Sequence, residues 1–589
     1  MKRLALFSFY SRSGAVGAFV FYYLEQLAGI SDVVFIVNGS LKPESKAELE
    51  KKGYGILCRE NKGFDFGAWK EFLLSKEAEF FRQYDELILC NCSCYGPVYP
   101  FPENFSQMDV SECDFWGLYR HPGLRDRKHS IPPHLQSYFL VIRSRLFHDE
   151  CFRKYFASLN PAETWNDAVS QETSFTRYFE DKGFVSSSLL GSVFSEYIEN
   201  PTIFMPAKLL ELKFPLVKRK CFTTDFRYIN KISSSAQIRE VLCFLRDNTG
   251  YPVDFIYDDL LGSAENSHLI KTLGLFFVLN GERSAETADA GQGSGKIAAV
   301  LGSYRIEGIP DSMRYLRSLP EGASVFIVVS SEQMKDEWAS QIRLLSGFRS
   351  EIRLMKETLP GTAGLLHSCR DVIGSFEYVC VLHDMEEACS DPPVKDRFFA
   401  EHCMSSLLFS GEYVRNIIDL FRENDRLGLL MPFVPMFAEW PDRLLHEEWG
   451  SCRGTAERIY SMLNLTVPFD GHPVAPWGGM FWLRGRAMEA FYRHEWTGAD
   501  LKPAGNEEGK SDVSGALIRM YPMIAQESGF LSGCVCPSEL AGSQISNMYY
   551  SLEKYSTVKL SHDGVHFSDV KKVVGLYLRR KLKKIMRKH

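Results

Sequence analysis

Four short stretches carry residues whose types and spacing could do chemistry, and all lie in the first third of the chain. YDELILCNCSCYGPVYPF (84–101) reads as a buried strand that presents Asn91, Cys92 and Ser93 at its exit, then turns at Gly96-Pro97. Open α/β sheets bind ligands at that end of their strands. FIVNGS (35–40) lets Asn38 and Gly39 leave an earlier strand in a loop able to hold a base or ribose. A plain turn, which Asn-Gly favours anyway, is the other reading. In RENKGFDFGAWKEF (59–72), Asn61, Gly63 and Gly67 allow close backbone approach and Asp65 sits between two phenylalanines. A helix is predicted over Ala68–Leu74, and glycine loops at helix N-termini suit anions. Asp65 as a simple helix cap is the alternative. SQETSFTRYFEDKGF (170–184) puts Phe175 and Phe179 on one helix face and Glu172 at the predicted helix start. There the helix dipole favours an ionised carboxylate, which can take a proton as a general base does. A capping glutamate is again the plainer reading.

Strands and helices in alternation must bring these residues together. The first half offers an apolar run Leu4–Tyr10, a helical pattern Gly17–Leu27, and strands at Val33–Asn38 and Glu86–Cys90. GERSAETADAGQGSGK (281–296) has the composition of a flexible linker. Beyond it the order recurs: strand Ile297–Ser303, helix Met313–Leu319, strand Val325–Ser330, then FEYVCVLHDMEE (376–387) in the place of the 84–94 stretch. HLQSYFLVIRSRLF (134–147) likewise matches PWGGMFWLRGRAMEAF (476–491). The alternation predicts a mostly parallel sheet in each half. The matched intervals favour internal duplication, although any two α/β domains share some of this rhythm. Residues 216–280 read as helices, Ala236–Arg246 and Ser267–Leu273 among them, and are assigned as a connector without a chemical role. The expected layout is a first module (1–215), a helical connector (216–280), a linker (281–296), a second module (297–560) and a basic tail (561–589).

The 589 residues are too many for one core, and 45% hydrophobic with 24% charged residues is ordinary globular composition. No run of eighteen apolar residues occurs, so no transmembrane helix is expected. The start, MKRLALFSFYSRSGAVG, imitates a signal peptide but breaks at Ser11-Arg12-Ser13-Gly14 without a small-residue cleavage pattern, so a first strand is expected. Fifteen irregularly spaced cysteines fit a reducing cytoplasm better than a disulfide framework. Cys90, Cys92 and Cys94 share a strand face, but a zinc site would want a second Cys or His pair at knuckle spacing, and none occurs. The net charge of −6 is uneven: residues 571–589 hold nine Lys or Arg and no acid, and the remainder carries 59 basic against 74 acidic groups. A nucleic-acid binder spreads its basic surface through a domain, so no nucleic acid is expected as partner. In the tail Val573, Leu576, Leu582 and Ile585, among others, recur at helical spacing between the cations. Such a helix can lie on an anionic membrane, each cation contributing about 1 kcal/mol near the headgroups. A solvated tail is the alternative.

Together NKGFDFGAWK, YDELILCNCSCYGPVYPF, HLQSYFLVIRSRLF and QETSFTRYFEDKGF resemble the rhamnan synthesis protein F family of bacterial glycosyltransferases. FEYVCVLHDMEEA, DLFRENDRLGLLMP and PWGGMFWLRGRAM resemble that family's later region more loosely. The resemblance implies an α/β chain of two GT-A-like (Rossmann-type) modules in tandem, with a helical connector and a basic C-terminal helix. It implies a cytoplasmic enzyme of cell-surface polysaccharide synthesis, peripheral at the inner face of the plasma membrane through residues 571–589. The reaction implied is transfer of L-rhamnose from dTDP-L-rhamnose to a lipid-linked glycan, and the mechanism expected for it is direct displacement with inversion. By position, Asn91 and Ser93 stand where such enzymes keep an Asp-X-Asp that holds a metal and two phosphates. Asn38, Gly39, Asn61, Gly63 and Asp65 fall on the donor side, and His134, Gln136 and Ser137 on the acceptor side. Glu172 falls at the acceptor-activating base.

The chain departs from the family pattern in two places. Asn91-Cys92-Ser93 replaces the usual Asn-Asp-Ser, and cysteine is a poor ligand for Mg²⁺ or Mn²⁺. Without a metal, a basic group such as Lys62 or Arg143 would have to help the diphosphate depart. In the second module LPGTAGLLHS (359–368) stands in place of an Arg-Asp loop, and the strand exit reads His383-Asp384-Met385-Glu386. Asp384 and Glu386 have Asp-X-Asp spacing, so this module is open to active, degenerate and acceptor-binding readings. Two further readings of the whole chain stay open: a non-catalytic glycan-binding or scaffolding subunit, and a transferase using another nucleotide sugar.

Overall fold

The computed structural model describes residues 1–125, 130–191, 200–230, 237–281, 296–345, 347–355, 361–384, 394–437, 449–497, 500 and 513–556. Most of the 281–296 linker, Glu386 and the whole 561–589 tail lie outside the described residues. The chain divides into two compact units, Met1–Ala264 with Lys271–Gly274, and Glu265–Ile270 with the chain from Leu275 onward.

Unit 1 is built on strands β1 (Arg3–Phe9), β2 (Asp32–Asn38), β3 (Gly55–Arg59), β4 (Glu86–Asn91), β5 (Phe115–Gly117), β6 (Phe139–Arg143) and β7 (Ser186–Ser188). Their order in the sheet is β7-β5-β6-β4-β1-β2-β3. All are parallel except β6, which runs antiparallel to both neighbours. Helices cover both faces, so β1 and β4 are buried almost end to end, and such strands read as continuous apolar runs rather than alternating ones. Two of these helices are paired through aromatic faces. Phe64–Ser75 buries Phe66, Trp69, Phe72 and Leu73, and Trp165–Glu180 buries Phe175 and Phe179. Each such side chain contributes about 2 kcal/mol through the apolar area it removes from water. Phe66 meets Phe175 edge to face at 6.0 Å between ring centres, which locks the two helices together.

Residues 216–264, expected as part of a connector, pack within unit 1. Tyr251 and Phe255 lie against Tyr22 of the first helix, with ring centres 5.3 and 5.9 Å apart. The expected helices there are present as Gln237–Asn248 and Asn266–Thr272, whereas Phe276–Leu279 is a strand.

Unit 2 has β8 (Phe276–Leu279), β9 (Ile297–Ser303), β10 (Ser324–Val329), β11 (Arg349–Leu354), β12 (Tyr378–His383), β13 (Leu427–Pro432), β14 (Phe481–Arg484) and β15 (Leu531–Pro537). Their order is β8-β15-β13-β14-β12-β9-β10-β11, with β14 antiparallel. Apart from the added β8, this is the order and direction of unit 1, strand for strand. Both sheets are Rossmann-like in the sense that parallel strands alternate with helices.

Candidate active site

The polar residues at the carboxyl ends of β1, β2 and β4 form one hydrogen-bonded chain. Arg59 donates through Nη1 to Asn38 Oδ1. Asn38 Nδ2 donates to Ser8 Oγ at 3.1 Å, and Ser8 in turn donates to the Asp65 carboxylate. Asn91 Nδ2 donates to Asp65 Oδ2 at 2.8 Å. The other end of the Asn91 amide accepts from Ser93 N at 3.0 Å and Ser93 Oγ at 2.7 Å. Asn91 is 6% exposed and both ends of its amide are used, so it positions Asp65 and Ser93. The carboxylate missing from the strand exit is thus supplied in space by Asp65. Burial pushes the Asp65 carboxyl above its ordinary value. The Ser8 and Asn91 bonds and the Lys218 charge oppose that shift, and Glu172 adds to it.

Asp65 is the second residue of its helix, which begins four residues earlier than predicted. It does not cap that helix. Gly63 does, at φ +79°, and Phe64 follows at φ +50°, a region that side chains other than glycine rarely adopt. The Phe64 ring is 43% exposed beside the loop. Gly39 N donates to Arg59 O at 2.8 Å, which ties the ends of β2 and β3 together. Asn61 is exposed in the loop and makes none of the bonds in this chain.

Glu172 is not at a helix start. Its helix begins at Trp165, and Thr164 with Asp167 forms the capping box: Asp167 N donates to Thr164 Oγ1, and Thr164 N donates to Asp167 Oδ2. Glu172 is the eighth residue, so the helix dipole does not act on it as expected. What holds it is Ser137, which donates to Oε1 through its backbone N at 2.6 Å and its Oγ at 2.8 Å. Oε2 has no hydrogen-bond partner among the described residues. Seven residues before Glu172, on the same helix face, the Trp165 ring is 61% exposed. Gln136 donates from its backbone to Tyr119 O, and its side-chain Oε1 is buried without a partner among the described residues. His134 stacks on His121 at 5.0 Å, and its Nδ1 meets Pro132 O at 2.8 Å, so its ring is engaged in the fold. Of the three residues expected on the acceptor side, Ser137 alone contacts Glu172.

Of the basic helpers named from the sequence, Arg143 lies away from the site, and Lys62 stands in the 61–65 loop without joining the bonded chain. Arg143 pairs in register with Glu86, at the opposite end of β4, and donates to Ser111 O, Cys113 O and Met108 O. The Lys62 side chain is exposed and makes none of the site's bonds. The cations that do arrive are Lys218, Arg219 and Lys220, from a stretch expected to have no chemical role. Val217–Lys218 pairs antiparallel with Cys94–Tyr95, so Lys218 lies opposite Cys94. Arg219 N donates to Ser93 O at 3.0 Å, and its guanidinium pairs with Asp259. The pairing needs glycine at position 96, where φ is +134° and a Cβ would lie 2.7 Å from Pro215 O. The signals were a run of three cations, VKRK (217–220), and for Ser8 one hydroxyl inside an apolar strand.

The donor set does not fit Mg²⁺ or Mn²⁺. Beside the β4 exit the Asp65 oxygens already accept from Ser8 and Asn91, and Glu172 is held by Ser137. Cys92 offers sulfur, and burial pushes its thiol up to about 11, so it stays neutral. No group of three or more His, Cys, Asp or Glu side chains able to hold a metal occurs among the described residues.

In unit 2 the equivalent exit is built differently. Ser8 lies beside Asn91 as Gly302 lies beside His383, so Asp384 occupies the position of Cys92. Both backbones agree: Cys92 N donates to Ser8 O, and Asp384 N to Gly302 O. The Asp384 carboxylate accepts from Tyr304 N at 2.6 Å, Ser303 Oγ at 3.0 Å and Arg305 N at 3.2 Å. Burial raises its pKa to about 6 against those bonds. His383 contacts Gly478 O. The helix in the place of Asp65, Gly361–Ser368, has no acid in its first turn, and Val513–Glu527 has none before Glu527.

A model of the family described as rhamnan synthesis protein F matches residues 33–530. The chain belongs to that family. Its membership indicates a glycosyltransferase. No curated protein matches the sequence. Two crystal structures of the glycosyltransferase GlyE of Streptococcus pneumoniae TIGR4, one of them the apo form, align over 67% of this chain and 89% of theirs. Identities are 12% and 11% and TM-scores 0.20 and 0.22, too low to add to the family assignment. No helix among the described residues is long and apolar enough to cross a membrane.

Proposed function

We propose that unit 1 is a GT-A-like catalytic module that transfers L-rhamnose from dTDP-L-rhamnose, with inversion, to a lipid-linked cell-surface glycan. The observation that carries this is the meeting of two carboxylates at the carboxyl ends of the parallel strands. Asp65 is held by Ser8 and Asn91, and Glu172 is held by Ser137 with one oxygen left free. Family membership supports the sugar-transfer reading. The free Oε2 of Glu172 takes the proton of an acceptor hydroxyl, and that oxygen attacks the anomeric carbon from the face opposite the diphosphate. The exposed Trp165 ring gives the acceptor sugar an apolar platform on the Glu172 face of the helix. Asn38, Gly39 and the 61–65 loop line the donor side. The basic 571–589 segment brings the enzyme to the anionic membrane where a lipid-linked acceptor resides.

Unit 2 is the non-catalytic half in this reading. It keeps the sheet but has no counterpart of Asp65 or Glu172 on the two described helices, and Asp384 is consumed in holding the β9 exit.

The test is turnover of dTDP-L-rhamnose on a lipid-linked or synthetic glycan, with the anomeric configuration of the product read by NMR. A product of inverted configuration, lost in Glu172→Gln, is the expected result. Turnover of a different nucleotide sugar would replace the donor and leave the mechanism. Activity undiminished in Glu172→Gln would overturn the assignment of the base.

A further inference from the structure

We propose that Lys218 and Lys220 clamp the diphosphate of the nucleotide-sugar donor in unit 1, taking the place of a divalent cation. The inference rests on the nucleotide-sugar reading of unit 1 and adds which groups neutralise the leaving group.

The placement is set by the backbone. Lys218 lies opposite Cys94, one residue beyond the Asn91-Cys92-Ser93 exit, and Arg219 N is bonded to Ser93 O. The cationic stretch therefore runs alongside the Asn91-Cys92-Ser93 exit. The middle cation is not available: Arg219 is neutralised by Asp259 through Nε at 3.0 Å and Nη2 at 2.9 Å, and Tyr95 also donates to Asp259 at 2.6 Å. That ion pair anchors the stretch and leaves the two flanking lysines free. Neither has a hydrogen bond or an ion pair among the described residues. Each ammonium lies over an aromatic ring instead, Lys218 over Tyr138 at 4.1 Å and Lys220 over Trp165 at 5.2 Å. Burial and the neighbouring Lys218 charge lower the Lys220 pKa, while Glu172 opposes that shift. Two like charges held together beside a site of helix and strand ends are what a dianionic ligand relieves.

The chemistry requires such groups. As the bond from the acceptor oxygen to the anomeric carbon forms, the bond from that carbon to the diphosphate oxygen breaks. The electron pair of the breaking bond goes to the departing diphosphate, and the acceptor proton goes to Glu172. The diphosphate gains a negative charge at that moment, and fixed cations lower the barrier by meeting it.

The experiment is isothermal titration of the full chain with dTDP in EDTA, then with Mn²⁺, on wild type, Lys218→Met, Lys220→Met and the two Lys→Arg variants. Methionine keeps the apolar stem that packs on the aromatic ring and removes the charge. Wild type should bind dTDP in EDTA. Each methionine variant should bind about tenfold more weakly or worse, the loss expected for a charged hydrogen bond, with an unchanged melting temperature. The arginine variants should retain most of the affinity. Binding by wild type only with Mn²⁺, or equal affinity in the methionine variants, would overturn the clamp and leave the transferase reading standing. No binding of dTDP, UDP or GDP by wild type, with or without metal, would overturn the transferase reading itself and the clamp with it.

Discussion

The exits of β4 in unit 1 and β12 in unit 2 have the same topology and opposite chemistry. In unit 1 the strand contributes no acid, and Asn91 reaches out to hold Asp65 from a neighbouring helix. In unit 2 the strand contributes Asp384, which turns inward and takes three donors from the end of β9. An acid in the expected place therefore is not evidence of a site, and its absence is not evidence against one. What separates the two exits is whether the carboxylate has capacity left. Glu172 has an oxygen with no partner among the described residues. Asp384 is spent on the Ser303 hydroxyl and the Tyr304 and Arg305 N–H groups, a structural use costly to remove.

The sharpest way to break this comparison is Glu172→Gln. The amide cannot take a proton, yet its Oε1 can still accept from Ser137, so the fold is kept. The expected outcome is a fall in kcat of about 10²–10⁴-fold with dTDP affinity unchanged in a titration. Asp65→Asn should cost less, about 10–100-fold in kcat/KM. The Asn91 amide then donates to a neutral partner, and charged-partner bonds differ from neutral ones by about 1–2 kcal/mol. Asp384→Asn is the control from unit 2, and steady-state kinetics should show its turnover unchanged. A loss of activity there comparable with Asp65→Asn would end the distinction between a catalytic and a non-catalytic unit.

Much of the fold is legible in the sequence because parallel strands buried on both faces announce themselves. Ile297–Ser303 agrees to the residue, and β1, β2 and β4 agree to within one residue at each end. Asp65 is legible as a candidate because an Asn-Lys-Gly-Phe-Asp-Phe-Gly string is too particular for a cap alone, and Asn91 because it stands at the exit of a buried strand. The start of the Glu172 helix is harder to read, since Thr164-x-x-Asp167 competes as a capping box with a glutamate nearer the aromatic face. The placement of 217–220 is not readable locally, because it depends on a strand pairing with residues more than a hundred positions earlier. Local periodicity has no access to such pairings, and Gly96 gives no sign of the Pro215 carbonyl it must admit.

Asp384 also makes a prediction about pH. Its carboxyl has a pKa of about 6 in the fold against 3.8 ordinarily, so the folded chain binds the proton more tightly. The stability this confers is complete below pH 3.8 and is lost as the pH rises through 6. Relative to wild type, Asp384→Ala should therefore be more destabilising at about pH 4.5 than at about pH 7.5, by about 2 kcal/mol. Denaturant unfolding monitored at both values checks it. An equal cost at both would show that Asp384 titrates normally.

The smallest effect tests whether the two exits are interchangeable. In unit 1, Tyr10 stands where Tyr304 stands in unit 2, and the Cys92 thiol lies 3.9 Å from Tyr10 O. Cys92→Asp would restore the acid that unit 2 carries at this position. If the β1 exit can present its N–H groups as the β9 exit does, the new carboxylate is held as Asp384 is, and the change in stability stays within about 1 kcal/mol. The added charge beside Asp65 should then raise the Asp65 pKa further, because a like charge disfavours ionisation. The acidic limb of the kcat/KM profile moves to higher pH, while donor binding in EDTA persists. A variant that instead binds dTDP only with Mn²⁺ would show that one side chain converts a cation-clamped exit into a metal site. The difference between the two units would then lie in residue 92 rather than in the lysines beside the exit.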